Sequence, residues 1–365
     1  MRDWRRRAVV AGMSLGLLGG LGIWGWEAAG APPDKKPGKK MSAIREVPPA
    51  RPAEEGLDKE LTQVSLRFTP ENVPPGGLFQ FEASGKDLEN AAEVTLICGE
   101  KRDRFRAFRV SGGLWRGYGA LRLSAEGKEN VRAFLEAGLP GGASGEKETS
   151  IGVASRDYPS SRLKVAPKFT SLSASQKRRT KEDQRAFAHA YAQDELRPLF
   201  SENFVNPRGT SARVTSVFGG RRVFNGRTKS RHLGLDLDGS PGDPVYAAAD
   251  GVVRMRRDCF YAGGTLVVGH GAGIFTSYFH LSRFHAAEGD AVKKGQLIGE
   301  VGKSGRVTGP HLHFGAKVGG VHIDPQLLLE FGFFPEADGM RRDRAPSPDA
   351  NAGTDARAKK AKNEN

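Results

Sequence analysis

Cysteine is the scarcest informative residue in this chain: Cys98 and Cys259 are the only two in 365 positions, and no Cys-x-x-Cys pair occurs. At most one disulfide can form, and zinc-finger, thioredoxin-like and iron–sulfur readings fall away. Each cysteine lies in an apolar strand-like run, "VTLICGE" and "DCFYAGG", so two buried free thiols are expected rather than a bridge. A phosphate-binding loop is also missing, because "GKSGRVTG" lacks the GxxxxGK[ST] order and leads into a strand pattern. Near the N-terminus an uncharged run, Ala8 to Trp26, is preceded by "RRR" and followed by the small residues "AAGA" at 28–31. Six of those nineteen residues are glycine, which favours a cleaved export signal over a retained membrane anchor for residues 1–31. Either way the chain is expected in the periplasm or cell envelope, with 8–26 as the candidate inner-membrane tether.

What is present is ordinary for a folded protein of two domains: 27% charged and 38% hydrophobic residues. The balance is basic, 56 Lys and Arg against 42 Asp and Glu, a net charge of +14. Residues 101–180 concentrate it, with 17 basic and 7 acidic side chains, and "RDRFRAFR" puts Arg102, Arg104 and Arg106 on one strand face. For an exported chain an anionic envelope polymer is a better partner for this region than nucleic acid, and no nucleic-acid role is expected.

Residues 32–60, rich in Pro and charge, read as a flexible linker. From 61 to 167, short alternating runs such as "QVSLRF", "GLFQFEA" and "AEVTLICG" suit a small β-sandwich-like accessory domain. One stretch there, "GKENVRAFLEAG", reads as a helix closed by Gly138. "TKEDQRAFAHAYAQDEL", 180–196, reads as a helix capped by Thr180 within a helical connector over 168–210, with His189 on its surface. Residues 211–335 read almost entirely as strands, and 336–365 as a disordered tail. The fold class is therefore mainly β, with a β-sandwich-like N-terminal domain, a connecting helix and a β-rich C-terminal domain.

Seven of the eight histidines fall in 211–335, more than a β-rich unit needs for packing. In "RHLGLDLDG" a period of two places Leu233, Leu235 and Leu237 on one side of a strand and His232, Asp236 and Asp238 on the other. In "HLHF", His311 and His313 share one strand face and can reach one ion. Two such strands supply imidazole and carboxylate without thiolate, a donor set that suits a catalytic zinc with three protein ligands and one open position. Periodicity does not choose between Asp236 and Asp238 or between His311 and His313, and it leaves His280, in "SYFHLS", as ligand or catalyst. Asp238 is equally a turn cap, His270 a structural residue, and His285 and His322 strand-end or surface residues.

"HLGLDL", "YFHLS" and "GKSGRVTGPHLHF", with "SVFGGRR", "GDPVYAAADGVV" and "GDAVKKGQLIGEVG" around them, occur in an order that resembles the lysostaphin-type, LytM-like zinc metallopeptidases of bacterial peptidoglycan. The resemblance covers roughly 210–330. It implies one Zn2+ per chain held by His232, Asp236 and His313, with His311 as general base and His280 hydrogen-bonding the attacking water or the oxyanion. It implies an endopeptidase cleaving cross-links or stem peptides, peptidoglycan peptides being its partner; the alternative is a non-catalytic wall-binding activator of other hydrolases. Residues 61–200 are then expected to restrain or position the catalytic domain.

Overall fold

The structure, a computed structural model, describes residues 64–333 apart from 87, 89, 139–143, 167–168, 170–171 and 227. The uncharged run at 8–26, the linker at 32–60 and the tail from 336 lie outside the described residues. Among the described residues no helix is long and apolar enough to cross a membrane. Both cysteines are free and buried, as their apolar neighbours predicted.

The first described stretch, 65–153, holds eight strands and one short 3-10 turn (Leu123–Ala125): β1 (Ser65–Thr69), β2 (Asn72–Val73), β3 (Leu78–Ser84), β4 (Asn90–Cys98), β5 (Lys101–Ser111), β6 (Leu114–Ala120), β7 (Asn130–Gly138) and β8 (Ser144–Val153). They form one sheet in the order β1-β3-β6-β5-β4-β7-β8-β2. The long β5 pairs with β4 through its first half and with β6 through its second, so it carries the sheet around a corner. Phe79 on β3 meets Phe105 on β5 edge to face, 6.0 Å between ring centres, inside the resulting core. On β5, Asp103, Phe105 and Ala107 are buried while Arg102, Arg104 and Arg106 are exposed, as the alternation predicted.

The expected helix in "GKENVRAFLEAG" is instead β7. Val131, Ala133, Leu135 and Ala137 are buried in alternation, and the strand is paired on both sides, to β4 and β8. Ala, Leu, Glu and Arg are helix formers, but two flanking ladders and a half-buried face outweigh a propensity of a few tenths of a kcal/mol per residue.

After β8 the chain leaves this sheet. β9 (Ser160–Leu163) lies parallel to β11 (Arg221–Phe224), which hairpins with β12 (Thr228–Arg231). Helix α1 (Ala174–Ala192) begins earlier than expected, at an N-cap Ser173 whose side chain accepts from Gln176 N while Gln176 answers in a capping box. Thr180 sits inside the helix and returns its hydroxyl to Lys177 O. Asp183, Phe187 and Ala190 form its buried stripe, and His189 is exposed. Burial of Phe187 against Phe279, 5.7 Å between ring centres, contributes on the order of 2–3 kcal/mol to holding the helix on the sheet.

The remaining strands are β10 (Val214–Ser216), β13 (Leu235–Asp238), β14 (Pro244–Tyr246), β15 (Gly251–Cys259), β16 (Gly263–Gly269), β17 (Ile274–Phe284), β18 (Ala291–Val292), β19 (Leu297–Val301), β20 (His311–Val318) and β21 (Val321–Ile323), followed by α2 (Pro325–Glu330). The main path is β10-β13-β20-β17-β16-β15-β18, with β21 on β20 and β19 joining β14 to β17. "RHLGLDLDG" is not one strand: the ladder breaks over His232–Gly234, and only Leu235–Asp238 pairs with β20. The reason is a close approach. A Cβ on Gly234 would stand 2.5 Å from His313 Nε2 and 2.6 Å from Phe314 O, so the chain passes across β20 where only glycine fits. Leu233 therefore leaves the core row of Leu235 and Leu237 and borders a cavity.

Candidate metal centre

Register decides which side chains meet. Across the central strands Asp236 lies opposite His313, His313 opposite Phe279, and Asp238 opposite His311. The other face of the same strands buries Leu235, Leu237, Leu312, Phe314 and Tyr278, which pins the sheet's polarity. Asp236 and His313 thus share a row on one face, and His311 lies one pleat further along it.

His232 enters from outside this ladder. Its backbone is clasped by the "FGG" turn, with Gly219 N donating to His232 O at 2.7 Å and His232 N to Gly220 O at 2.8 Å. Its Nδ1–H donates to Val217 O at 2.8 Å, so Nε2 presents a lone pair. That lone pair is 2.9 Å from Asp236 Oδ1 and 3.0 Å from His313 Nδ1, which is itself 2.8 Å from the same carboxylate oxygen. Three donor atoms converge with at most one or two protons to share between them, an arrangement that calls for a cation at their centre. Among the described residues His232, Asp236 and His313 are the one such group of three, and all are buried. Two imidazoles and a carboxylate without sulfur fit a borderline divalent ion such as zinc.

The surroundings orient this set. Arg222 donates to Asp236 Oδ2 at 2.7 Å, leaving Oδ1 for the cluster. His313 stacks on Phe279, ring centres 5.1 Å apart and planes within 10°. Burial alone would raise the Asp236 pKa; the charge and hydrogen bonds of His232 and His313 outweigh it and hold the carboxyl well below the usual range. Burial pushes His313 down to about 4, so at neutral pH this imidazole is neutral beside the Asp236 carboxylate.

His311 and His280 flank the cluster. His311 Nδ1–H donates to Gly309 O at 2.9 Å, and its Nε2 is 3.6 Å from Asp236 Oδ1. His280 Nδ1–H donates to Ser304 O at 2.8 Å, and its ring centre is 4.9 Å from that of His311. His280 has φ of 65°, a left-handed conformation uncommon outside glycine. β17 carries one residue more than β16 between the Leu266–Tyr278 and Gly264–Leu281 pairs, a bulge that turns His280 onto the same side as its neighbour Phe279. Burial, with His311 and His313 nearby, keeps the His280 pKa well below its ordinary value.

These groups line one cavity of about 470 Å³, to which β9 and α1 contribute Ser161, Leu163, Phe187 and Tyr191. The other candidates fall outside its chemistry. Asp238 is taken by Arg213 through both backbone and side chain, His285 pairs with Glu300, and His270 is fully buried between Asp250 O and Thr276 Oγ1. His322, expected at a strand end or on the surface, lies in the short β21 with intermediate exposure and borders the cavity, opposite Lys317, with Nε2 buried and without a hydrogen-bond partner. Sequence reasoning passed over Arg222, because "GGRR" offers no spacing that ties it to a residue fourteen positions on.

Comparison with known proteins concerns the same stretch. The chain is 41% identical over 113 residues to the DD-carboxypeptidase/endopeptidase Mpg of Neisseria meningitidis, covering 31% of this chain and 26% of that protein. It is 40% identical over 118 residues to the peptidoglycan DD-endopeptidase ShyC of Vibrio cholerae, covering 32% and 27%. The chain thus spans about a quarter of the length of these relatives. A Pseudomonas aeruginosa crystal structure assigned to peptidase M23 shares the fold over 70% of this chain and 94% of its own, with a TM-score of 0.50 at 23% identity. Residues 230–325 match the model of Peptidase family M23, the stretch that carries His232, Asp236, His280, His311 and His313.

Proposed function

We propose that residues 211–335 form a zinc endopeptidase domain that hydrolyses peptide bonds of bacterial peptidoglycan, in a protein exported to the cell envelope. The observation that carries this is the convergence of His232 Nε2, Asp236 Oδ1 and His313 Nδ1 beside two further histidines in one cavity. Support for the substrate comes from the relatives, named as peptidoglycan DD-endopeptidase and DD-carboxypeptidase/endopeptidase.

His232, Asp236 and His313 hold the ion. Zinc there supplies Lewis acidity, polarising a carbonyl and making water nucleophilic near neutral pH. The chain's own groups do the rest. With Nδ1–H tied to the Gly309 carbonyl, His311 offers Nε2 as the base that takes a proton from water and later returns it to the leaving amine. His280, tied in the same way to Ser304 O, offers Nε2 as an acceptor for that water rather than a donor to an oxyanion. Arg222 keeps Asp236 oriented.

Residues 8–26 serve as export signal or tether. The exposed Arg102, Arg104 and Arg106 give a weak attachment to anionic polymer, since Arg104 faces Glu93 at 3.7 Å and Arg106 pairs with Asp194 at 3.1 Å. The accessory strands position the site, through β9 alongside β11.

The test is digestion of purified peptidoglycan by the full chain loaded with zinc. Cross-linked fragments should shorten, a chelator should stop the reaction and added zinc restore it. A fully zinc-loaded protein that releases no product from any peptidoglycan would reject the enzyme and leave the activator reading.

A further inference from the structure

The cavity that holds the metal cluster is also lined by a histidine to which none of the steps above assigns a task. Alternation along β20 puts His311, His313, Gly315 and Lys317 on one face, and Lys317 lies four residues past the ligand His313, about 13 Å at the rise of a strand. His322 stands opposite Lys317 in the β20–β21 ladder. Two glycines close that hairpin, Gly319 with φ of 54° and Gly320 with φ of 82°, the pair of left-handed residues that a tight two-residue turn requires. Val321 and Ile323 on either side are buried in the core, so His322 faces the other way and borders the cavity, on the side of the metal cluster away from His311.

Among the described residues, His322 Nε2 is the one buried side-chain atom in the lining of this cavity that lacks a hydrogen-bond partner. Polar neighbours in the lining serve one another or the metal cluster: Tyr191 is hydrogen-bonded to Ser277, and Thr215 Oγ1 donates to Asp236 O at 3.1 Å. An unpaired polar atom kept out of water costs stability, and one that faces a binding cavity recovers that cost when a ligand supplies its partner. Charge selects the ligand atom. Lys317 Nζ lies 4.3 Å from the ring centre of Tyr191, and burial with the nearby Arg122 brings its pKa to about 8, so it is an ammonium at neutral pH. Burial, with Lys317, His313 and Arg122 adding to it, keeps the His322 pKa well below its ordinary value, which leaves a neutral imidazole with one N–H. A positive field around that ring favours an oxygen over an N–H as its partner.

We infer that His322 is a specificity-determining residue of this site, donating from Nε2 to a carbonyl or carboxylate oxygen of the peptide substrate beside the bond to be cleaved. It contacts the substrate directly without touching the metal or moving a proton. The inference rests on the endopeptidase reading given above.

The experiment uses the full chain and a fluorescein-labelled, cross-linked stem-peptide dimer, made once with free carboxylates and once with primary amides in their place. In the zinc-loaded protein His322→Leu should raise KM by about 3- to 10-fold, the loss of one hydrogen bond, with kcat within about twofold of wild type. Binding to zinc-stripped protein, read by fluorescence anisotropy, should weaken by the same factor. His322→Gln, whose side-chain amide can present an N–H near the position of Nε2, should restore most of both. The free proteins supply a third reading. Because His322 Nε2 has no partner to lose, His322→Leu should melt at the wild-type temperature or above it. A loss confined to the free acid identifies the oxygen as a carboxylate and an equal loss on both peptides identifies an amide carbonyl; either upholds the inference. A wild type that binds neither peptide, or a His322→Leu that binds both as the wild type does, overturns it. So does weaker binding that comes with a lower melting temperature and is not restored in His322→Gln, the mark of a purely structural residue. Binding without hydrolysis by the wild type rejects the endopeptidase reading instead, and the anisotropy comparison still decides on His322.

Discussion

The sheet of β1–β8 and the sheet built around β13, β20 and β17 obey the same alternation of inward and outward side chains, yet they spend their polar residues differently. In the first, among the described residues, only Thr95 and Asp103 are buried polar side chains, Asp103 paired with Arg122, and charges also pair on the outside, as in Arg132–Glu148 at 2.6 Å. In the second, Asp236, His280, His313, Ser277 and Lys317 are all buried. The difference lies in what covers the polar face. Solvent reaches Arg102 and Arg104, whereas α1 and β9 wall the face that bears Asp236 and His313. Polar groups kept out of water are costly unless hydrogen-bonded, paired or metal-bound, so a sheet that accumulates them on one face marks a site rather than a packing solution.

The sharpest way to break the comparison is to remove one buried donor at a time. His232→Ala, Asp236→Ala and His313→Ala should each take zinc content, read by mass spectrometry of the purified protein, from about one per chain to near zero, and activity with it. His311→Ala should keep its zinc and lose about 10²–10⁴-fold in kcat, the range for a general base. If His311→Ala comes out empty while His313→Ala stays loaded, the two histidines exchange roles. Comparable changes to the first sheet, such as Arg104→Ala, should leave both readings alone.

Arg222 gives a smaller effect that sharpens the same contrast. In the first sheet an Arg–Glu pair is half-exposed and contributes little; Arg222 instead fixes the oxygen of a buried carboxylate, with side-chain exposures of 18% and 10% for the pair. Arg222→Met should weaken zinc affinity by about 10- to 100-fold, measured by competition with a chelator, and recover most of its rate at saturating zinc. Unchanged affinity would reduce the contact to a surface ion pair.

Much of this site was legible in the chain because its key relation is local. His311 and His313 are two apart on a strand, so parity alone puts both imidazoles on one face. Which of the two meets Asp236 is not local. His313 faces Asp236 and His311 faces Asp238 through the β13–β20 register, a pairing between segments some 75 residues apart that only the folded chain sets. The same holds for His232, displaced from its apparent strand by the crossing at Gly234, and for His322, placed at the cavity by the pairing of β21 with β20. Residues 130–138 mislead in the opposite sense: their composition is helical, and two neighbouring strands overrule it. Alternation in "RDRFRAFR" needed no such context and was read correctly.

The smallest expected effect concerns a buried histidine that the chemistry does not use. His270 is 0% exposed, with Nδ1–H donating to Asp250 O at 2.7 Å and Thr276 Oγ1 2.7 Å from Nε2; it does not line the metal cavity. Burial lowers its pKa from 6.5 to about 4, only partly opposed by Asp250. Between those two values the unfolded chain binds a proton that the folded chain refuses, so stability is full above about pH 6.5 and falls as the pH drops toward 4. The slope amounts to about 2 kcal/mol between pH 6.5 and pH 5. His280, His313 and His322, whose pKa values are also lowered, add to the fall in the same direction, so the contribution of His270 is read as a difference. Denaturant titrations of the wild type and of His270→Gln at pH 7 and pH 5 should show the variant losing about 2 kcal/mol less on acidification, with hydrolysis at pH 7 unchanged per folded molecule. Parallel losses in the two proteins would mean that His270 is protonated in the folded state as readily as in the unfolded one, and that burial on this side of the sheet is shallower than on the side that holds the metal cluster.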